Sequence, residues 1–125
     1  MSKRVLIIDD NEGDRYMMKE IIQENYANIQ VFEASDGATG IEVVRKESPD
    51  IAIVDTMLPG TDGFETCKRI KENNNAIKVV LITGAMEGVD DVKIKFSKAD
   101  MATVKGVDWS AFKQTFHEIQ SENRT

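Results

Sequence analysis

At 125 residues the chain has room for one domain with one sizeable core, and not for two. Apolar residues make up 41% of it, enough to fill that core, and a net charge of −6 argues against a direct nucleic-acid surface, which would need a basic stripe. The single cysteine, Cys67, excludes an internal disulfide, the single histidine, His117, excludes a histidine metal cluster, and no apolar run reaches membrane-spanning length. Met1-Ser2-Lys3-Arg4 leads into a short strand, not a signal peptide, so the expected setting is the cytoplasm.

The first apolar run, "VLII" at 5–8, is continuous and rich in β-branched residues, as a strand covered on both faces should be. Met17, Met18, Ile21 and Ile22 mark a first helix, with both methionines expected in the core. "IQVFEA" (29–34) is mixed, as an edge strand would be. Asp36 is placed to cap a second helix with Ala38, Ile41 and Val44 inward and Val43 at the margin, and Pro49 follows its end. "IAIV" (51–54) is a second buried strand. Asp62 with Glu65 three residues on predicts a capping box for a third helix marked by Phe64, Cys67 and Ile70. "VVLI" (79–82) is a third buried strand. Within 87–98 the segment "VKIKF" alternates like a strand, but a parallel crossover is needed there, so a helix with Val92, Phe96 and Ala99 inward is expected. "MATVK" (101–105) reads as the other edge strand, and Phe112, Phe116 and Ile119 mark the last helix. Trp109 at its start and Cys67 are expected to pack, and His117 to be solvated.

The order is (βα)5 in a single domain, 1–125, an α/β chain with a doubly wound, five-stranded parallel sheet. Buried strands 1, 3 and 4 with edges 2 and 5 give the flavodoxin-like order 2-1-3-4-5, and ligands bind beyond the carboxyl ends of such strands. There the sequence puts Asp9 and Asp10 after strand 1, Asp55 after strand 3, Thr83 after strand 4 and Lys105 after strand 5. Two like charges about 4 Å apart repel by roughly 4 kcal/mol at an effective dielectric of about 20, so the adjacent aspartates ask for a cation. Three carboxylates are balanced by one Mg²⁺ and Lys105, and Mg²⁺ favours oxygen ligands of this kind.

These features resemble the receiver domain of two-component response regulators over about Arg4 to Gln120. They are the pair Asp9-Asp10, Asp55 in "DTMLPGTDG" with Pro59 and Gly63, Thr83 after an apolar strand, and Lys105. Each is weak alone, and together at successive strand ends they are specific. The resemblance implies that Asp55 accepts a phosphoryl group from a histidine kinase or histidine phosphotransfer protein. It further implies that Asp10, Asp55 and the Met57 backbone carbonyl hold Mg²⁺, with Asp9 assisting directly or through water. Thr83 and Lys105 would each meet a phosphoryl oxygen. The expected product is a phosphorylated signalling domain, not a metabolic enzyme, that promotes its own aspartyl phosphorylation and dephosphorylation and then binds a downstream protein target.

Two positions depart from the family pattern. Where receivers carry proline after the strand-5 lysine this chain has Gly106, and a cis bond before a non-proline residue costs about 2.5–4 kcal/mol, so Lys105-Gly106 is predicted trans. Where they carry an aromatic residue three positions before the lysine it has Ala102, with Met101 on the opposite face by period-2 alternation. These departures leave a second reading, a pseudo-receiver that binds partners without turnover. A third, an aspartate-nucleophile phosphatase of the haloacid dehalogenase type, wants an acid two residues after Asp55, where Met57 stands. Met57 and Ala85 offer no acid or amide to orient water, which predicts slow self-dephosphorylation. A chain of this length is expected to act alone, as a phosphorelay intermediate or a diffusible regulator, and its last helix leaves a homodimer open.

Overall fold

The computed structural model describes residues 3–84 and 90–122. Strands β1 (Lys3–Ile8), β2 (Ile29–Ala34), β3 (Ile51–Asp55), β4 (Lys78–Thr83) and β5 (Met101–Val104) alternate with helices α1 (Glu12–Asn25), α2 (Gly37–Glu47), α3 (Gly63–Asn73), α4 (Asp91–Ser97) and α5 (Ser110–Glu122). All strand pairs are parallel and the sheet order is β2-β1-β3-β4-β5. This is the expected doubly wound architecture.

Each central strand is apolar throughout because both faces are covered, and period-2 alternation deals its residues into two cores. Val5, Ile7, Ile51, Ile53, Val80 and Ile82 pack against α1 and α5 through Met18, Ile22, Phe112 and Phe116. Leu6, Ile8, Ala52, Val54, Val79 and Leu81 pack against α2 and α3 through Val44, Cys67 and Ile70, with Ile94 of α4 at the margin. Trp109 is buried on the first face, edge-on to Phe112 with ring centroids 6.1 Å apart. Cys67 is buried on the second, where loss of hydration pushes its thiol up to about 12.

Several expectations from the sequence are corrected. Met18 is core but Met17 is exposed, because the inward stripe of α1 runs Met18, Ile21, Ile22. In α2, Ala38 is exposed and the buried stripe is Gly37, Gly40 and Val44. Gly40 lets the helix sit directly on Ile8, whose Cδ1 would lie 2.3 Å from an added Cβ. Asp62 caps α3 by accepting from Glu65 N–H at 2.9 Å, but the Glu65 carboxylate pairs with Arg69 at 3.0 Å instead of completing a capping box. Asp36 caps α2 as predicted, accepting from Thr39 N–H at 2.8 Å. The segment 91–97 is a helix, yet its inward residues are Ile94 and Ser97, while Val92 and Phe96 face solvent. His117 is exposed but lies 3.1 Å from Tyr26 Oη through Nδ1.

Candidate functional site

The carboxyl edge of the sheet gathers the predicted polar residues, and alternation sorts them by face. Ile51, Ile53 and Asp55 follow one another at period 2, as do Val5, Ile7 and Asp9, and Met101, Thr103 and Lys105. Asp9, Asp55 and Lys105 therefore meet on the α1/α5 side. Val79, Leu81 and Thr83 run on the other side, toward α4, together with Ala102.

On the first side Lys105 Nζ lies 2.7 Å from Asp55 Oδ2, 2.8 Å from Asp9 Oδ2 and 2.6 Å from Asp14 Oδ2. Asp9 is fully buried, Asp55 is nearly so, and the Lys105 side chain is 14% exposed. Loss of hydration works to lower the Lys105 pKa, but the contacts to Asp14, Asp55 and Asp9 outweigh it and raise it above the ordinary lysine value. Burial lifts Asp9 above the usual carboxylate range. Its contacts with the Lys105 ammonium and Asn11 N–H offset part of that lift, and the charge of Asp55 adds to it.

The backbone fixes these side chains. Asp9 Oδ1 accepts from Asn11 N–H at 2.9 Å, Asn11 caps α1 by accepting from Asp14 N–H at 2.8 Å, and Arg15 Nη1 donates to the Asp9 carbonyl at 2.6 Å. Asp55 Oδ1 accepts from Met57 N–H at 2.7 Å. Gly63, the first residue of α3, closes the loop after Asp55: its N–H donates to Thr56 O at 3.1 Å, and an added Cβ would lie 2.0 Å from the Asp55 carbonyl oxygen. Only glycine admits that approach.

Asp10 is exposed and lies outside this ion-paired group. Met57 is 77% exposed, with no acid at that position for phosphatase chemistry. Thr83 is buried, and its carbonyl accepts from Lys105 N–H at 2.9 Å, tying the ends of β4 and β5 together. Beside it a narrow apolar crevice, too tight to admit a water molecule, is lined by Thr56, Leu81, Thr83, Ile94 and Ala102. Met101 packs on the opposite face, as alternation requires. The Lys105-Gly106 bond is trans, and Gly106 has φ +67°, which proline cannot adopt. Ala85 lies outside the described residues.

Asp14 is the residue that sequence reasoning missed. It stands in the first turn of α1, where acidic residues are common for helix-dipole reasons alone, and its partner is 91 positions away. Its place above the end of β1 was the available signal.

The donor set suits a hard divalent cation. Asp9 Oδ2 is buried, and although the Lys105 ammonium is close, no donor is aligned on it. Asp10 adds an exposed carboxylate next to it. Among the described residues, however, no three acidic, imidazole or thiolate groups close around a common point as ligands; Asp9, Asp14 and Asp55 close on Lys105 Nζ instead.

Comparison with known proteins agrees with this fold. The sequence model of the response regulator receiver domain matches residues 5–116. Sporulation initiation phosphotransferase F of Bacillus subtilis is 34% identical over 95 residues, 74% of this chain and 75% of that protein. The response regulator PleD of Caulobacter vibrioides is 37% identical over 93 residues, 73% of this chain but 20% of the longer protein. Among solved structures, the receiver domain of AraT, a response regulator from Geobacillus stearothermophilus, superposes with a TM-score of 0.85 at 26% identity, covering 98% of this chain and 95% of that one.

Proposed function

The chain belongs to the response-regulator receiver domains of two-component signalling, and from that premise we propose that Asp55 is its phosphoacceptor. Receiver domains work with histidine kinases or histidine phosphotransfer proteins and with downstream effectors. The observation that carries the reading is the state of Asp55: a buried carboxylate at the carboxyl edge, held between the Lys105 ammonium and the Met57 N–H.

In the proposed reaction an Asp55 carboxylate oxygen attacks the phosphorus of a phosphohistidine. A P–O bond forms, the P–N bond breaks, and the departing imidazole takes a proton from solvent. Such transfer is governed by positioning and charge stabilisation. The Met57 N–H fixes the rotamer of Asp55, and Lys105 offers its ammonium to the phosphoryl oxygens. Thr83, on the α4 side of the same edge, is the hydroxyl that would meet another. Asp10, Asp55 and the Met57 carbonyl, with Asp9 behind them, are the groups that would hold Mg²⁺. When bound, the ion neutralises charge on the phosphoryl oxygens.

Phosphorylation makes Asp55 more negative by about one charge, which draws on Lys105 and Thr83 and biases the surfaces they support. With an apolar side chain at Met57, two residues past the acceptor, self-dephosphorylation is slow. The test is intact mass after incubation with acetyl phosphate, with and without Mg²⁺, alongside Asp55→Ala. One added phosphoryl group requiring both the metal and Asp55 supports the reading. No addition from acetyl phosphate or from a phosphorylated histidine protein leaves the pseudo-receiver, which would use the fold for binding alone.

A further inference from the structure

We infer that Asp14 is a positioning residue for Lys105, holding the ammonium at the rim of the site in competition with a phosphoryl group on Asp55. The inference rests on the proposed phosphoacceptor role of Asp55. Lys105 has three N–H donors, and the shortest of its three carboxylate contacts is to Asp14, at 2.6 Å. The Asp9 contact is close but unaligned, so the two directed hydrogen bonds of the ammonium go to Asp14 and Asp55.

The two partners differ in burial. The Asp55 side chain is 6% exposed and that of Asp14 is 30% exposed, so Asp14 is the solvent-side partner. A phosphoryl donor also arrives from solvent. A phosphoryl group on Asp55 and the Asp14 carboxylate would both need the same ammonium.

Asp14 is anchored independently of Asp55. Its N–H donates to the Asn11 cap, and α1 is seated on the sheet through Met18, Ile21 and Ile22. It therefore stays in place when Asp55 is modified, and Lys105 must leave it to follow the phosphoryl oxygens. Asp14 also adds a fourth carboxylate to Asp9, Asp10 and Asp55, which favours a cation and opposes an incoming phosphoryl anion.

Asp14→Asn keeps the size and one acceptor oxygen but removes the charge. At saturating Mg²⁺ it is expected to accelerate phosphorylation by acetyl phosphate about fivefold, with the gap narrowing as salt is added. In the unphosphorylated protein it is expected to weaken Mg²⁺ binding about threefold by calorimetry and to speed hydrogen exchange of the Lys105 ammonium measured by NMR. Asp14→Glu, which restores the charge, should recover most of each change, whereas a merely structural role would leave the salt dependence and the ammonium signal unmoved. Phosphorylation rate and Mg²⁺ affinity both within twofold of wild type, in a folded Asp14→Asn protein, would overturn the inference. If the wild type itself takes no phosphoryl group, the phosphoacceptor reading fails separately, and the ammonium exchange alone decides whether Asp14 positions Lys105.

Discussion

The two sides of the sheet's carboxyl edge are built on opposite principles. On the α1/α5 side, Asp9, Asp14 and Asp55 grip one ammonium, and the Asp9 and Asp55 carboxylates each accept from a backbone N–H two residues on. On the α4 side, Thr83 stands beside an apolar crevice closed by Ile94 and Ala102, under a helix of seven residues with Val92 and Phe96 exposed. One side is charged, cross-linked and deep; the other is apolar and covered by one short helix. A change of charge at Asp55 would act first on the cross-linked side, while the second side rests on the apolar packing of one short helix. With Ala102 at this position, Ile94 and Leu81 close the crevice beside Thr83, and it is too narrow for an aromatic ring as it stands.

The largest test of this contrast strikes the cross-linked side. Gly63→Ala puts a methyl group against the Asp55 carbonyl, where the neighbours are backbone and cannot turn aside. It is expected to destabilise the fold by about 3 kcal/mol in urea unfolding and to displace the loop after Asp55. A loss below about 1 kcal/mol would show that the loop yields, and the contrast in rigidity would be wrong. Ala102→Phe tests the other side, where the crevice is too narrow for a ring and α4 must shift to admit it. A cost of about 1 kcal/mol or less is expected, since α4 can move outward; a well-packed site would lose about 1–3 kcal/mol. The same denaturant titration separates these outcomes.

The smallest expected effect sharpens the comparison most finely. Cys67 lies under the α3–α4 side, and burial holds its thiol at about 12, against about 8.5 for a free cysteine. Native protein at pH 8 should therefore react with a disulfide reagent only through opening, at a rate set by a free energy below that of global unfolding. Equal free energies would make the two sides one cooperative unit. The sign for stability follows: the unfolded chain ionises above about pH 8.5 while the folded thiol does not, so stability declines from there until the pH passes about 12.

Much of this was legible in the sequence. Continuous apolar runs named the buried strands, mixed ones named the edges, and Asp36 and Asp62 were readable as caps because capping is local. The five polar residues at the strand ends were legible for the same reason, since a strand's last residue is fixed by its own hydrophobic run. Faces of helices were less so. Val92 and Phe96 are more hydrophobic than Ser97, yet Ser97 turns inward, where its hydroxyl donates to the Ile94 carbonyl and accepts from Ala99 N–H. Met17 and Met18 are chemically identical, and only the placement of α1 on the sheet separates them.

By itself the sequence determined the element order, the sheet and which polar residues stand at its edge, because hydrophobic periodicity and capping act over a few residues. The tertiary structure alone decided which carboxylates share the ammonium. Parity along β1, β3 and β5 brings Asp9, Asp55 and Lys105 to one face, and α1 carries Asp14 over them across 91 positions of chain. It also set Thr83 on the other face beside Ala102, since a one-residue step along a strand reverses the direction of the side chain.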